Sequence, residues 1–373
     1  MAEEKAVRAG GRNYGIDLLR IVAMNMILVL HILGLGGVLS DFSIFSPKYM
    51  VGWFMEIAAY GAVNLFAIIS GYVNYGRKTK YANLMLLYLE ILFYTVTATA
   101  VYWFVAPETV TRQHIVYALL PFKIGGYWYF TAYFCLFLFM PFMNILVDRL
   151  SKRNAVRLLL LFFVVFSVLP TVLYQDIGGM CNGYCFSWLG VMYLTGACIR
   201  KFDFRLKCNH YFLLYLLCIT ASFAAKLTIE LITFVATGTA MYGGLFSLYV
   251  SPFIVLSSFF LFLGFRDLKL NENAIALVKF FAPMTFGVYL LHMEPLVNSS
   301  FILGKFFFLS KLNIPALICG VLVTAFGIWF VCALIDRVRL AIFRVLRVPE
   351  LCARAETAVR AFVARRFPSS GEE

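Results

Sequence analysis

The chain has 373 residues, of which 62% are hydrophobic, 17% aromatic and only 14% charged, and its mean hydropathy is +0.85. A soluble globular domain does not have this composition, and repeated apolar runs of about 20 residues indicate an integral membrane protein of helices. The formal net charge of +13 could point to nucleic acid, but the basic residues cluster in short loops between apolar runs. We therefore expect an all-α polytopic protein surrounded by membrane lipid, with no nucleic-acid partner.

Ten apolar runs predict ten transmembrane helices, of which the sixth is the shortest. In chain order they cover residues 14–39, 51–75, 82–105, 126–147, 155–174, 185–199, 210–236, 245–264, 277–297 and 314–335. With the N-terminus inside, the inner segments, counted with Arg157 at the start of the fifth run, carry 24 lysine and arginine residues, and the outer segments carry five. Because basic residues favour the cytoplasmic side, this asymmetry predicts an N-in, C-in topology.

Three segments follow from this pattern. Residues 1–13 are predicted to be a cytoplasmic N-terminal segment, residues 14–335 the transmembrane domain, and residues 336–373 a basic cytoplasmic tail. Apolar and arginine residues recur in the tail at helical period, so we expect an amphipathic helix on the membrane surface. We find no cleavable signal peptide and no internal repeat, and the second observation counts against transporter folds built from inverted halves.

The first span carries charges that are costly inside a bilayer, and it reads YGIDLLRIVAMNMILVLHI. Arg20 and His31 are eleven residues apart, so on an α-helix they lie about 20° apart on one face and roughly 16 Å apart along the axis. Asp17 precedes Arg20 by three residues and can pair with it. A guanidinium suits phosphate or carboxylate, and an imidazole suits proton transfer. The alternative is a structural Asp17–Arg20 pair and a histidine bonded to a neighbouring carbonyl.

Four segments resemble the bacterial acyltransferase family 3, and they occur in the order of that family. The first is DLLR with a histidine eleven residues after its arginine; the second is GAVNLFAIISGYV (61–73), which contains Phe–x–x–x–Ser–Gly–aromatic. The third is YWYFTAYFCLFLFMPFMN (127–144), where a tryptophan precedes an apolar helix broken by proline, and the fourth is TFGVYLLHMEPLV (285–297), with its Tyr–Leu–x–His. The similarity extends from residue 14 to about residue 340.

This resemblance implies an O-acyltransferase of cell-surface carbohydrates in the bacterial cytoplasmic membrane. The donor would be cytoplasmic acyl-CoA, expected to be acetyl-CoA, and no cofactor would be permanently bound. Arg20 would hold part of the CoA near the entrance of the site. His31 would deprotonate the acceptor hydroxyl or carry the acyl group briefly, and the first role is favoured. No metal site is expected.

Donor-binding candidates lie near the cytoplasmic side. They are Asp17 and the loop residues Arg77, Lys78 and Lys80. The family often has two arginines three residues apart in this loop, whereas here Lys80 takes the second place and loses the bidentate geometry of arginine. Ordinary basic residues of an inner loop explain the same pattern equally well.

Acceptor-binding candidates are expected near the outer face, and the acceptor would be a glycan or its lipid-linked precursor. Trp128 could stack on a sugar ring, although interfacial tryptophans are common without a ligand. His292 could bind acceptor hydroxyls or tune His31. Glu294 could do the same or could simply cap the helix above Pro295. A separate extracytoplasmic transfer protein is a further candidate partner.

Several other residues are open to structural interpretations. Lys226 and Glu230, at i and i+4, are expected to neutralise each other against the bundle interior. Glu90 is a candidate cavity-lining residue, whereas Glu56 has no partner that can be read from the sequence. Gly71 is interpreted as a packing residue. A transporter or flippase of a glycan intermediate, and a sensor or scaffold with a degenerate site, are the competing functions.

Overall fold

A computed structural model describes residues 12–122, 126–206 and 209–366. The predicted cytoplasmic residues 1–11 and the end of the predicted tail, residues 367–373, lie outside the described residues. All regular structure in the described ranges is helical. The α-helices are α1 Tyr14–Leu30, α2 Pro47–Tyr60, α3 Ala62–Asn74, α4 Tyr81–Val105, α5 Arg112–Leu119, α6 Trp128–Arg149, α7 Lys152–Phe163, α8 Leu169–Leu173, α9 Phe186–Phe202, α10 Tyr211–Thr237, α11 Pro252–Arg266, α12 Glu272–Phe281, α13 Thr285–His292, α14 Pro295–Phe301, α15 Ile314–Val345 and α16 Val348–Arg366.

Nine segments of the described chain are long and apolar enough to cross a membrane. Some of them combine two helices, as α2 with α3 and α12 with α13 do. The short sixth predicted span corresponds to α9, which has 17 residues, most of them buried among neighbouring helices. At 1.5 Å per residue α9 is about 26 Å long, slightly less than the roughly 30 Å of a hydrocarbon core. The prediction of an all-α polytopic membrane protein is confirmed.

Hydrogen bonds between segments that are distant in the chain show which loops lie together at each end of the bundle. Asn13, before α1, donates from Nδ2 to the carbonyl oxygen of Arg266 at the end of α11, 2.8 Å away. At the opposite end, Lys48 donates from Nζ to the carbonyl oxygen of Ser310 over 2.8 Å. Asn13 and Arg266 therefore lie at one end of the bundle and Lys48 and Ser310 at the other, which is the grouping that the predicted N-in topology requires.

Two glycines bring α3 and α9 together backbone to backbone. A Cβ atom at Gly71 would lie 1.9 Å from the carbonyl oxygen of Tyr193, and one at Gly196 would lie 1.9 Å from that of Ile68. Small residues at such positions let membrane helices approach closely. The interpretation of Gly71 as a packing residue is confirmed.

The predicted pairing of Lys226 with Glu230 is also confirmed. The ammonium of Lys226 forms a buried ion pair with Glu230, and the Tyr49 hydroxyl donates to Glu230 Oε2 over 2.8 Å. Lys226 Nζ also lies 3.8 Å from the ring centroid of Trp53. Because both charges in this group have a partner, the cluster connects α2 with α10 and offers no free group for binding.

Glu90, the candidate cavity-lining residue, has a buried carboxylate that is paired with an arginine. Arg339 donates from Nη1 to Glu90 Oε1 over 3.0 Å and from Nε to Asp336 Oδ1 over 2.8 Å. Tyr94 donates to the same Asp336 oxygen. The partner could not be found from the sequence because residues 336–345 were assigned to the tail, whereas α15 continues through them to Val345.

The tail helix α16 docks on the N-terminal end of α4. Glu356 Oε2 accepts the backbone N–H of Ala82 over 3.0 Å, and Arg360 donates to the carbonyl oxygen of Thr79 over 3.2 Å. The residue before α4, Lys80, provides no side-chain cap, so Glu356 supplies the missing acceptor from another helix. The hydrogen bond from Ala82 holds the pKa of Glu356 below its usual value.

Candidate functional site

The first helix keeps Arg20 and His31 on one face. The Asn13 side chain accepts the backbone N–H of Ile16 and caps the start of α1, which then runs as a regular α-helix to Leu30. From His31 to Leu35 the helix widens into one π-type turn, in which Gly36 donates its N–H to the carbonyl oxygen of His31 over 2.7 Å. Such turns often occur at functional sites. Since the wide turn begins only at His31, the eleven-residue spacing lies within regular helix.

His31 is in direct contact with His292 from the end of α13. His31 Nδ1 and His292 Nε2 are 3.0 Å apart, and the ring centroids are separated by 5.1 Å. The other nitrogen of His292, Nδ1, is 2.6 Å from the carbonyl oxygen of Val288 one turn earlier. His292 is 1% exposed, while His31 is half-buried. Two residues 261 positions apart therefore form one hydrogen-bonded unit.

The contact to Val288 determines where the protons of this pair lie. A carbonyl oxygen only accepts, so His292 Nδ1 carries the proton and, in neutral His292, Nε2 is an acceptor. His31 must then donate from Nδ1, which leaves its Nε2 unprotonated when the ring is neutral. This arrangement produces a histidine whose second nitrogen can accept a proton.

Arg20 belongs to a group of three charges at the inner end of the same helix. Asp17, which is buried, accepts from Arg20 Nη1 and from Arg12 Nε, both over 2.5 Å. The predicted pairing of Asp17 with Arg20 is confirmed. Two guanidinium groups share one carboxylate, so the group retains a net positive charge that suits an anion.

A cavity of about 300 Å³ lies beside Arg20. This volume is at the lower end of small-molecule pockets, which span about 300 to 1,000 Å³. Apolar side chains from α1, α3 and α4 form part of the wall, and the residues with polar groups that line it include Arg20, Ser70, Asn74, Tyr133, Thr285 and Tyr289. The Ser70 and Tyr133 hydroxyls are 3.1 Å apart, whereas the Thr285 hydroxyl is buried without a partner among the described residues.

The predicted donor loop lies at the same end of the bundle as Arg20. Arg77, Lys78 and Lys80 are exposed. Arg77 is close enough to Arg20 for their charges to interact. The loop is also next to the docked tail helix, a neighbour that the sequence did not predict. A role of these residues in binding acyl-CoA stays a prediction.

On the outer side, Trp128 belongs to a cluster of aromatic rings. Its ring centroid is 4.7 Å from that of Tyr184 and 6.0 Å from that of Tyr249. The next residue, Tyr129, lines the cavity beside Arg20, and the rings of Trp128 and Tyr129 are 5.7 Å apart. The start of α6 thus separates the cluster from the cavity. No sequence motif marks Tyr184 or Tyr249: Tyr184 is a loop tyrosine, and Tyr249 lies inside the predicted span 245–264.

Glu294 acts as a helix cap, the structural alternative for this residue. Its Oε2 accepts the backbone N–H groups of Leu296 and Val297 over 2.8 and 3.0 Å at the start of α14. Burial raises the pKa of Glu294 to about 7. Its carboxylate oxygen is thus engaged in the fold, and we assign it no contact with an acceptor.

Fold and site together define a multi-pass membrane protein that holds a hydrogen-bonded pair of histidines and a cavity beside Arg20 within one helical bundle. A family model described as an acyltransferase domain, that of acyltransferase family 3, matches residues 13–334. The chain therefore belongs to acyltransferase family 3 and is a membrane acyltransferase, which confirms the resemblance of its motifs. No curated protein and no solved structure is found to match it.

Proposed function

We propose that the protein transfers an acyl group, in the first instance acetyl, from cytoplasmic acyl-CoA to a hydroxyl of a cell-surface glycan or its precursor. The observation that carries this proposal is the unprotonated Nε2 of His31, imposed by the chain of contacts through His292 to Val288. The family supports acyl transfer in general. The donor, the acceptor and the roles of the residues are our inference.

In the proposed reaction His31 is the general base. Its Nε2 removes the proton of the acceptor hydroxyl while that oxygen attacks the thioester carbonyl carbon. The carbon–sulfur bond then breaks, and the CoA thiolate takes the proton back from the imidazolium. His292 remains neutral throughout and accepts a hydrogen bond from His31 Nδ1, so we regard it as a positioning residue.

The donor would enter from the cytoplasmic side, past Arg20. The positive group of Arg12, Arg20 and Asp17 would attract a CoA phosphate or hold the pantetheine amides. A cavity of about 300 Å³ suits the acyl end of the donor better than its nucleotide. The nucleotide would then remain outside, near the basic loop of Arg77, Lys78 and Lys80.

Because Arg20 and His31 lie roughly 16 Å apart along the helix axis, donor and acceptor can approach the reacting atoms from opposite sides of the membrane. The acceptor is accordingly proposed to be extracytoplasmic and the protein to reside in the bacterial cytoplasmic membrane. A separate transfer protein could carry the acyl group onward. No permanently bound cofactor enters the proposed reaction.

The test uses the full chain in lipid nanodiscs with acetyl-CoA and a mixture of pyranose oligosaccharides. Released CoA is measured by chromatography, and acetylated saccharide by mass spectrometry. We expect His31→Ala to lower the rate by about 10²- to 10⁴-fold, the usual contribution of a general base. The matched control is His114→Ala, since His114 is half-buried, bonds to Thr111 and lies outside the site. Equal CoA release by wild type and His31→Ala, or no release by wild type, would overturn the proposal.

A further inference from the structure

Four aromatic side chains from separate parts of the chain form a patch near the outer end of the bundle. Tyr60 ends α2, Trp128 begins α6, and Tyr184 and Tyr249 lie in the loops before α9 and α11. The ring of Tyr249 is 4.8 Å from that of Tyr184 and 4.9 Å from that of Tyr60. Tyr184 is 44% exposed and Tyr249 only 7%, so the patch leads from solvent into the protein.

The inner part of this aromatic patch is held rigidly. Asn64, which is fully buried, donates from Nδ2 to the carbonyl oxygen of Tyr249 over 2.9 Å. Its Oδ1 accepts the indole N–H of Trp188 over 2.9 Å. The backbone of Tyr249 is therefore fixed before any ligand arrives, which lowers the entropic cost of binding.

Glu56 lies one turn before Tyr60 on α2 and is 8% exposed. Its Oε2 is buried and has no hydrogen-bond donor among the described residues, and no other carboxylate oxygen there shares this condition. The remaining buried carboxylates are paired or capping, namely those of Asp17, Glu90, Glu230, Glu294 and Asp336. Leaving such an oxygen unpaired is costly, so a ligand that donates to it would be strongly favoured.

The position of Glu56 connects the aromatic patch with the proposed base. Glu56 Oε1 is 4.0 Å from the point where a Cβ of Gly34 would stand, and Gly34 follows His31 by three residues in the wide turn. The Glu56 carboxylate is also within electrostatic range of the hydroxyls of Tyr60 and Tyr249. It thus lies between helix α1 and the patch.

We propose that Glu56 and the aromatic patch form the acceptor subsite and bind a sugar ring. The rings of Trp128 and Tyr184 would pack against the apolar face of a pyranose, while Glu56 would accept a hydrogen bond from a hydroxyl of that ring. This inference rests on the proposed function, because it places a sugar hydroxyl near His31. The inference goes beyond the proposed function because it assigns recognition of the acceptor sugar to Glu56, a residue that belongs to none of the sequence motifs.

Binding without donor tests the subsite separately from the reaction. The full chain in nanodiscs is screened on an array of pyranose oligosaccharides without acetyl-CoA, and the best oligosaccharide is titrated by equilibrium dialysis. We expect Glu56→Gln to weaken binding by about tenfold, because the ligand hydroxyl loses a charged acceptor, and Tyr184→Ala by about fivefold, because one ring contact is lost. Glu56→Asp should recover part of the affinity.

Matched controls use residues of the same type on the outer side. Glu108→Gln changes an exposed carboxylate, and Tyr174→Ala removes a ring that contacts Tyr242 instead of the patch. Both should bind as wild type does, and thermal unfolding identifies any variant that fails to fold. Unchanged affinity in Glu56→Gln, preference for choline over every saccharide, or no saccharide binding by wild type would each overturn the inference. Binding without CoA release would instead overturn only the proposed function.

Discussion

The hydrogen bond between His31 and His292 offers the sharpest test of the site. In His292→Ala the Nδ1–H of His31 loses its acceptor, so neither the orientation of the ring nor its tautomer is fixed any longer. The proposed mechanism requires that this bond strengthen during reaction, because His31 changes from neutral to charged while it donates.

The magnitude follows from that change in charge. A neutral hydrogen bond contributes about 0.5 to 1.5 kcal/mol and one from a charged group about 1.5 to 3 kcal/mol. The gain in the transition state is therefore roughly 1 to 2 kcal/mol, which corresponds to about a 5- to 30-fold loss of kcat in His292→Ala. His292→Gln carries an amide oxygen that can accept the same proton, so its kcat should lie between those of His292→Ala and wild type.

The assay is CoA release by the wild type, both single variants and the double variant of His31 and His292 in nanodiscs. Because His292 acts only through His31, the double variant should be no slower than His31→Ala alone. The KM for acetyl-CoA should change less than kcat. Additive losses in the double variant, or a wild-type kcat in His292→Ala beside an inactive His31→Ala, would refute this reasoning.

Three further predictions concern the anion site, the packing and pH. Arg20→Lys keeps a charge beside the cavity but loses the planar fork that binds phosphate, so we expect the KM for acetyl-CoA to rise by about tenfold, measured by CoA release; an unchanged KM contradicts this role. Gly196→Ala places a Cβ against the backbone of Ile68 and should destabilise the protein by about 1 to 3 kcal/mol in thermal unfolding. The matched control is Gly327→Ala, which has open space around the new methyl group and should not destabilise the protein. For Glu294, burial raises the pKa from 4.5 to about 7, so the folded protein binds the proton more tightly than the unfolded chain. The contribution of Glu294 to the free energy of unfolding is full below pH 4.5 and falls as the pH rises to about 7. At 1.36 kcal/mol per pKa unit the loss is roughly 3 kcal/mol. When unfolding is followed between pH 4 and 8, Glu294→Gln should abolish this dependence on pH.

Features with a local signature were predictable from the sequence. The apolar runs and the asymmetry of basic loops gave the helical membrane fold, and the spacing in the first span placed Asp17, Arg20 and His31 on one helix. Lys226 and Glu230 pair because they are four residues apart. In each case the partners are near neighbours in the chain, and helix geometry alone determines their distance.

Pairs that depend on the packing of distant helices could not be predicted. His31 and His292 are 261 residues apart, and Glu90 and Arg339 are 249 apart, so nothing in one sequence connects them. The same holds for Glu356, which caps α4 from the tail. The wide turn after His31 also has no local signature, because its shape depends on contacts with the outer loop.

That wide turn tells where the chain tolerates insertion and deletion. A π-type turn holds one residue more than an α-helical turn, so losing any one residue between positions 32 and 35 would restore a regular helix. The Arg20–His31 spacing would survive, and the segment after the turn would keep its orientation, whereas a deletion within the regular helix would rotate it by about 100°. The N–H groups of Gly304 and Phe306 donate to the carbonyl oxygens of Leu35 and Gly36, and these bonds hold the end of the turn in place. Family members of differing length should therefore vary after this histidine, while the stretch between the arginine and the histidine keeps its length.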